Sequence, residues 1–476
     1  MKHTSFIVLA LVFNCCIAQT TAEKYFNKIR NNTAELTAFF SQMPKGGDLH
    51  HHYSGSIYAE PLLDYAINSN YYLNTTTMQV AKEKPISDNN WVLFSALQKN
   101  DELYKYREMI LRRWSVKDYN AADYPSDKLF FESFDKFWPV ADGRFKEGIA
   151  ELKNRAIKEN VSYIETQFLP ILSNINCSQL YPLNSRLQQL AAQKNETAIL
   201  QLLDSLHHIF IKMGAMDSAI SFNENVVENL QKEAAVDDEK FTLRYQNFVL
   251  RFMQPIDLFK NLVLAFISAD NSQLITGVNI VTPENGETSM KDYWLHMLLF
   301  KYCHSRYPSV KYSMHAGELA MGMVMPEELN HHISEAVYTA GANRIGHGVD
   351  MAYEQNAYIL LRYMARHKIP VEINLVSNEF ILKVNDDRHP IMLYKKFGVP
   401  IVICSDDAGV LRTNLTEQYV LLAKRYKEIS YRDIKQFVYN SITYSFIKEP
   451  AVKAKLLKDL DLRFKKFEAS LATIKK

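Results

Sequence analysis

The sequence has few cysteines and no excess of charge of one sign. Only 5 cysteines occur among 476 residues, and 55 Lys and Arg residues nearly balance 53 Asp and Glu residues. A disulfide framework therefore cannot be the basis of the fold, and the absence of any basic block argues against a nucleic-acid partner. Cys177, Cys303 and Cys404 follow the first 20 residues, and whether two of them pair is left open. The 47% of hydrophobic residues is typical of a globular protein.

Long apolar runs are also missing, except near the start of the chain. There, Lys2 and His3 precede an apolar run from Phe6 to Phe13, and Ala18 offers a small residue for cleavage. This pattern predicts a signal peptide over residues 1–18. We therefore expect an exported chain, secreted or periplasmic, whose mature form has no membrane-spanning segment. The oligomeric state is left open.

Short segments rich in β-branched residues alternate with longer helical patterns. Eight such segments predict strands at residues 48–50, 161–165, 248–252, 275–280, 311–315, 344–347, 371–375 and 399–404. Eight strands that alternate with helices are the number in a (β/α)8 TIM-type barrel of the α/β class. A doubly wound open sheet is the alternative, and it is less favoured because no Gly-x-Gly-x-x-Gly follows the first strand.

The spacing of the segments predicts two long insertions and a leading helix. Residues 19–42 form a short amphipathic pattern ahead of a barrel that spans residues 43–476. A large insertion at about 53–135 follows the first strand, and a second covers residues 169–197. Both are longer than ordinary βα loops. Since they follow strands, we expect both to rise from the face of the barrel where active sites lie.

Polar side chains that can bind metal or carry protons lie where the predicted strands end. His50 and His52 alternate along the first strand, so their side chains share a face. The corresponding residues after the fifth, sixth and eighth strands are His315, Gly317, Glu318, His347, Asp406 and Asp407. Because these strand ends converge in a barrel, we predict a divalent metal site made by three histidines and one carboxylate, namely His50, His52, His315 and Asp406. Other histidines lie in helical patterns and are expected to be solvated, namely His207, His208, His331 and His332.

These motifs resemble the adenosine deaminase family. The matching segments, in the family's order, are Met43-Pro44-Lys45, Leu49-His50-His51-His52, His315-Ala316-Gly317-Glu318, Gly346-His347-Gly348 and Ser405-Asp406-Asp407. The resemblance implies the family's barrel fold and one zinc ion per chain. The branch that the chain resembles is the secreted one, related to the adenosine deaminase growth factors.

The resemblance implies a role for each site residue. It implies that the zinc ligands are His50, His52, His315 and Asp406. Glu318 matches the acid that protonates purine N1, and His347 matches the histidine that orients or deprotonates the attacking water. Implied substrate contacts are His52, Ser54, Gly317 and Asp407, of which Asp407 matches the residue that contacts purine N7. The other zinc deaminase design, with cysteine ligands, is excluded because the chain has no Cys-x-x-Cys.

Two departures from the family pattern lie on the sugar side of the expected substrate. Ser54 stands where the family often has an aspartate that touches the ribose 5′-hydroxyl, and Thr282 stands where a glycine usually contacts purine N3. The leading hypothesis is zinc-dependent hydrolysis of adenosine, and of 2′-deoxyadenosine, to the inosine product and ammonia. The alternatives are deamination of another aminopurine compound and a non-catalytic secreted signalling protein. AMP is less favoured because no basic cluster lies near the motifs.

Overall fold

The computed structural model describes residues 21–86, 89–171 and 173–473. The predicted signal peptide lies outside these residues. The strands are β1 (Gly46–His52), β2 (Tyr72–Asn74), β3 (Val80–Ala81), β4 (Trp91–Leu93), β5 (Val161–Gln167), β6 (Thr242–Leu250), β7 (Ile275–Val281), β8 (Lys311–Ala316), β9 (Arg344–His347), β10 (Val371–Ile373) and β11 (Ile401–Ile403).

Eight of these strands form one parallel sheet in the order β1-β5-β6-β7-β8-β9-β10-β11. The first and last strands approach each other, because the Asp406 amide donates to the His50 carbonyl at 2.9 Å and a parallel bridge joins His51 to Asp406. The predicted (β/α)8 barrel is therefore confirmed, and the open doubly wound alternative is wrong. The nearly continuous burial of the strands is that of a sheet covered by helices on its outer face.

One predicted strand is displaced from its observed position. The pattern placed the third barrel strand at residues 248–252, whereas β6 begins at Thr242. The early part of β6 carries Arg244 and Gln246, which hide it from a hydrophobicity pattern. Both are buried with partners: Arg244 donates to Asp237 at 2.7 Å, and Gln246 donates to Glu165 at 2.7 Å. A buried polar group is tolerated when it is hydrogen-bonded, so tertiary contacts decide this boundary.

The amino-terminal segment forms two helices rather than one. Helix α1 covers residues 21–29 and α2 covers Thr33–Gln42. Asn32 separates them, and its side chain accepts a hydrogen bond from the Glu35 amide. That bond satisfies one free amide at the start of α2. Both helices pack onto the barrel, where the Arg30 guanidinium donates to the carbonyls of Tyr426 and Lys427.

The remaining α-helices lie between and after the strands. They are α3 (Tyr53–Ser56), α4 (Ala59–Asn68), α5 (Phe94–Lys99), α6 (Leu103–Arg113), α7 (Ser126–Ala141), α8 (Phe145–Lys158), α9 (Pro182–Ala192), α10 (Glu196–Lys212), α11 (Ala215–Phe222), α12 (Asn229–Glu233), α13 (Pro255–Asp270), α14 (Glu287–Lys291), α15 (Tyr293–Arg306), α16 (His332–Glu335), α17 (Ala357–His367), α18 (Leu375–Leu382), α19 (Ile391–Phe397), α20 (Leu415–Arg425), α21 (Tyr431–Thr443) and α22 (Pro450–Thr473). Shorter 3-10 or π-helical turns occur at Ser178–Leu180, Asn223–Glu228, Pro326–Leu329, Ala336–Ala340, Val349–Ala352 and Asp386–Arg388.

The long segment after β1 contains α3 to α7 and the small antiparallel sheet of β2, β3 and β4. The Trp114 indole donates to the Met78 carbonyl at 2.7 Å, which ties the helical and sheet parts of this segment together. Its last helix, α7, contacts α3 and α18 at the carboxyl ends of the barrel strands. The segment is therefore placed to form one wall of a site on that face.

Cys177, Cys303 and Cys404 are buried free thiols.

Across the described ranges, no helix combines the length and the apolar character needed to span a membrane.

Candidate metal centre and active site

Four of the predicted site residues meet at the carboxyl end of the barrel. His50 and His52 come from β1 and His315 comes from β8. The ring centroids of His50 and His315 are 4.5 Å apart, and that of His52 is 5.3 Å from each of them. An oxygen of Asp406, after β11, lies 3.6 Å from Nε2 of His50 and 3.4 Å from Nε2 of His52. Parallel strands that are distant in sequence thus bring three imidazoles and one carboxylate together.

The donor set fits a metal ion. Nδ1 of His50 donates to Glu372 at 2.7 Å, while its Nε2 is buried without a hydrogen-bond partner. Nδ1 of His315 is likewise engaged, 3.0 Å from the oxygen of Asn279. Histidines that bind metals usually direct their other ring nitrogen to a carboxylate or carbonyl oxygen in this way. Ligand atoms of His50, His52 and His315 lie within 4.8 Å of one another, so one ion can contact all three.

The electrostatics of this cluster also suit a cation. Burial, only partly offset by the charge of Asp406, lowers the pKa of His52 to about 4. Burial likewise holds the pKa of His315 well below its usual value, so both rings are neutral at neutral pH. Burial alone would raise the pKa of Asp406, but the surrounding histidines outweigh it and keep that pKa at about 2. Burial also acts on His50, but the bond to Glu372 and the charge of Asp406 outweigh it and raise the pKa of that ring. An ion bound by His50 would therefore replace a proton on that ring, whereas His52 and His315 are already neutral.

Glu318 and His347 lie beside this cluster. Oε1 of Glu318 is 3.7 Å from Nε2 of His347, which is in turn 3.9 Å from an oxygen of Asp406. Burial raises the pKa of Glu318 well above its usual value, and the carboxylates of Asp406 and Glu284 raise it further. These shifts favour the protonated form of Glu318, which can donate a proton within the site.

A chain of hydrogen bonds fixes the tautomer of His347. The Ile391 amide donates to Nδ1 of His389 at 3.2 Å, so the proton of neutral His389 is on Nε2, 3.0 Å from the Asn378 oxygen. The Asn378 amide nitrogen then donates to Nδ1 of His347 at 2.9 Å. Burial lowers the pKa of His347 to about 3, so this ring is neutral and carries its proton on Nε2. His347 therefore presents an N–H donor towards Glu318.

Glu284 is an essential part of the geometry that sequence reasoning missed. Its carboxylate accepts the amides of Gly317 and Glu318, at 3.1 and 2.8 Å, and contacts Nδ1 of His332 at 2.5 Å. Arg251 lies 3.7 Å from Glu284 and donates to the His315 carbonyl at 2.8 Å. This pair therefore holds the peptide between a predicted metal ligand and the predicted acid. The only sequence signal was an acidic residue three positions after the end of β7.

A cavity of about 470 Å³ opens above these residues. Its polar lining consists of His52, Ser54, Asp135, Thr282, His315, Glu318, His347, Asp406 and Asp407. Its apolar lining comes from α7, the β6 end and the β7 end, namely Phe130, Phe131, Phe134, Trp138, Phe248, Leu250, Phe252, Val281 and Pro283. Neither lysine nor arginine is among the described residues that line it. The volume is in the range of small-molecule sites.

Two of the predicted substrate contacts differ in position. Asp407 lines the cavity. Burial, and to a smaller extent the charge of the adjacent Asp406, raise the pKa of Asp407 well above its usual value. Its carboxyl group is therefore a potential hydrogen-bond donor. Gly317 does not line the cavity. Its amide donates to Glu284, and its carbonyl accepts from the amides of Val349 and Asp350. Both backbone groups of Gly317 are therefore engaged within the protein, and its role as a direct substrate contact stays a prediction.

The expectation that the remaining helical histidines are solvated is wrong in part. His207 and His332 are buried, whereas His208 is exposed and His331 is partly exposed. Both buried rings have a specific partner: Nε2 of His207 lies 2.9 Å from the Tyr307 hydroxyl, and His332 contacts Glu284.

Comparison with known proteins agrees with the fold and with these motifs. A family model described as adenosine deaminase matches residues 145–462, about two thirds of the chain. The matched range contains His315, Glu318, His347 and Asp406, whereas His50 and His52 precede it.

Two relatives and one solved structure illustrate the similarity. An adenosine deaminase from Clostridium acetobutylicum is 26% identical over 240 residues, 50% of this chain and 66% of that protein. An aminodeoxyfutalosine deaminase from Streptomyces coelicolor is 33% identical over 128 residues, 27% of this chain and 32% of that protein. The matches thus span less than two thirds of these relatives. A Burkholderia ambifaria amidohydrolase with bound zinc has a TM-score of 0.53 and 17% identity, and the match covers 92% of this chain and 94% of that one.

Proposed function

Because the chain belongs to the adenosine deaminase family of metal-dependent hydrolases, we propose that it is a zinc enzyme that deaminates adenosine, and 2′-deoxyadenosine, to the inosine product and ammonia. One observation carries this proposal. Three imidazoles and an ionised carboxylate converge at one end of a cavity in which the carboxyl group of Glu318, shifted by burial towards its protonated form, also lies. That combination serves hydrolytic attack on an aromatic carbon bearing an amino group, a step that needs both an activated water and a proton donor.

We propose that His50, His52, His315 and Asp406 hold the zinc ion. A nitrogen-rich set with one carboxylate favours zinc over magnesium or calcium, and zinc is the metal bound in the Burkholderia structure. When bound, zinc supplies Lewis-acid chemistry that lowers the pKa of water towards neutrality. Gln167, whose amide nitrogen lies 3.2 Å from Nε2 of His52 in this structure, would turn away from that nitrogen when the ion binds.

We assign the proton steps to Glu318 and His347. Glu318 holds its proton at neutral pH and gives it to the ring nitrogen beside the carbon that is attacked, which makes that carbon more electrophilic. His347 carries its proton on Nε2, because Asn378 donates to its Nδ1. The neutral ring can therefore orient the attacking water by donating to its oxygen, and it has no free lone pair with which to remove a proton. Of the two roles implied for His347, we propose the orienting one.

The cavity lining supports a neutral purine nucleoside as the substrate. The phenylalanine-rich wall suits a flat aromatic base, and the protonated carboxyl of Asp407 can donate to purine N7. Ser54 lies at the cavity and can contact a sugar hydroxyl. The lack of a basic residue among the described lining residues disfavours a phosphate group, since a buried phosphate needs a cationic or helix-terminal partner. Another aminopurine compound remains the second candidate, because one relative is an aminodeoxyfutalosine deaminase.

We further propose that the chain is exported after removal of residues 1–18 and belongs to the secreted, growth-factor-related branch of the family. The basic start, the apolar run and the small residue before Gln19 support this. Amino-terminal sequencing of protein recovered outside the cytoplasm should begin at Gln19. Recovery in the cytoplasm with Met1 or Lys2 intact would contradict export.

The activity is tested by ammonia release from a panel of adenosine, 2′-deoxyadenosine, adenine, AMP and aminodeoxyfutalosine. We expect the two nucleosides to give stoichiometric ammonia and the inosine product, with activity lost on chelation and restored by zinc. If kcat/KM is higher for aminodeoxyfutalosine or for adenine than for adenosine, that compound is the substrate instead of adenosine. Zinc-loaded protein that releases no ammonia from any aminopurine would point instead to the non-catalytic signalling alternative.

A further inference from the structure

A second group of metal-ligating side chains lies outside the proposed active site. Glu328 is on the 3-10 turn Pro326–Leu329, and His331 and His332 lie at the start of α16. A ligand atom from each of the three lies within 4.8 Å of the other two. The 3-10 turn and the start of α16 meet here, and this junction brings the three side chains together. Glu328 and His331 are partly exposed, so an ion can reach the group from solvent.

His332 has the contacts that are usual for a metal-ligating histidine. Its Nδ1 is 2.5 Å from a carboxylate oxygen of Glu284, and its ring stacks on Tyr293 with centroids 3.7 Å apart. These contacts fix the plane of the ring. Its Nε2 is buried and has no hydrogen-bond partner. A buried polar atom without a partner is rare, and the carboxylate on the opposite nitrogen is the usual support for a histidine that binds a metal.

The other members of the group can also bind a cation at neutral pH. Burial and the adjacent His332 lower the pKa of His331 to about 4, so the His331 ring is neutral at neutral pH. Oε2 of the neighbouring Glu335 is buried without a partner and adds a further acceptor beside the group. The positive charge of Lys194 opposes the binding of a cation at this group. Its ammonium lies 4.4 Å from the centre of the Trp294 ring, which offers it an alternative partner.

We propose that Glu328, His331 and His332 form a second site for a divalent transition-metal ion, zinc in the first instance. Two imidazoles and one carboxylate are a known zinc ligand set, which leaves a position for water. The proposed site is linked to the active site through one residue, since Glu284 contacts His332 and also accepts the amides of Gly317 and Glu318. An ion on Nε2 would hold the His332 ring, and with it the Glu284 carboxylate, in place. The proposal does not depend on which substrate the enzyme uses.

Zinc stoichiometry of the full chain tests this proposal. The protein is stripped with chelator, titrated with zinc chloride by calorimetry, and checked by elemental analysis. We expect two equivalents for the wild type and one for His331→Ala and for Glu328→Gln, both with the far-ultraviolet circular dichroism of the wild type. His208→Ala is the matched control, because Asp204, His207 and His208 repeat the i, i+3, i+4 spacing while Nε2 of His207 is occupied by Tyr307. It should keep two equivalents.

A variant of the proposed active site separates the two ions. His315→Ala should lose the first equivalent and keep the second, and adding His331→Ala should remove both. A wild type that binds a single equivalent, lost in His315→Ala, would overturn the second site while leaving the proposed function intact. A second equivalent that persists in both Glu328→Gln and His331→Ala would also overturn it.

Discussion

The contacts of Glu284 allow a quantitative prediction for Glu284→Gln. Burial alone would raise the pKa of this carboxyl, but the bonds from His332 and the nearby Arg251 outweigh it and lower the pKa from 4.5 to about 2. That fall corresponds to about 3 kcal/mol of extra interaction with the ionised form. The glutamine side chain keeps one oxygen but places an NH₂ group against an amide donor. We therefore expect a loss of about 3 kcal/mol in unfolding free energy at neutral pH.

The pH dependence has a definite sign. Because the folded-state pKa of Glu284 is depressed, its contribution is fully present above the unfolded value of 4.5 and is lost as the pH falls towards about 2. The difference between wild type and Glu284→Gln in urea denaturation should stay constant from pH 7 to about 5 and shrink below that. A difference that grew on acidification would refute the assignment of the ionised form.

Glu354→Gln is the matched control. One oxygen of Glu354 accepts two consecutive backbone amides, those of Ile333 at 2.6 Å and Ser334 at 3.0 Å, just as Glu284 accepts those of Gly317 and Glu318. Burial raises the pKa of Glu354, so the fold does not favour its ionised form overall. We therefore expect Glu354→Gln to lower the unfolding free energy by less than Glu284→Gln does.

Activity distinguishes the two variants more sharply. Glu284→Gln frees the peptide that carries Glu318, and a displacement of about 1 Å can cost about 100-fold in rate. We expect kcat to fall by about 10- to 100-fold in Glu284→Gln, with zinc at the site of His50, His52, His315 and Asp406 unchanged, and to stay within about twofold in Glu354→Gln. Equal kcat values in the two variants, or loss of zinc from that site in Glu284→Gln alone, would refute the positioning role.

Three further substitutions test separate parts of the site. Glu372→Gln removes the carboxylate that orients His50, so zinc affinity measured by competition with a chelator should fall about 10- to 100-fold; unchanged affinity would contradict this support. Glu318→Gln should keep zinc but lose about 10²- to 10⁴-fold in kcat, because an amide cannot deliver the proton; near-normal turnover would remove Glu318 from the mechanism. Asn378→Ala should remove the hydrogen bond that fixes the tautomer of His347 and should therefore lower kcat, with zinc content unchanged; a rise in kcat would contradict the orienting role.

The barrel could be predicted from sequence because its strands are buried on both faces. Such strands form apolar runs that stand out between helical patterns. The boundary of β6 was missed because Arg244 and Gln246 are buried polar residues with partners remote in sequence, Glu449 for Arg244 and Glu165 for Gln246. The break between α1 and α2 depends on a local cap at Asn32, which the pattern contained but the prediction did not use.

A site residue could be predicted from sequence only where a metal-binding or acidic residue type stands at the end of a predicted strand. His50, His315 and Asp406 met both conditions, because imidazoles and carboxylates at the ends of barrel strands are few. Glu284 met them too, yet its partners are the amides of Gly317 and Glu318, and backbone contacts leave no sequence signal. The tautomer of His347 likewise depends on a chain of contacts through Asn378 and His389 that no spacing rule encodes.

The most direct test of the zinc-dependent deamination proposed here is the rate of ammonia release from adenosine as zinc is added to chelator-treated protein. We predict that the rate rises in proportion to zinc occupancy of the site at His50, His52, His315 and Asp406, and that His315→Ala shows no such rise. A rate that does not depend on zinc, or equal rates in wild type and His315→Ala, would contradict it.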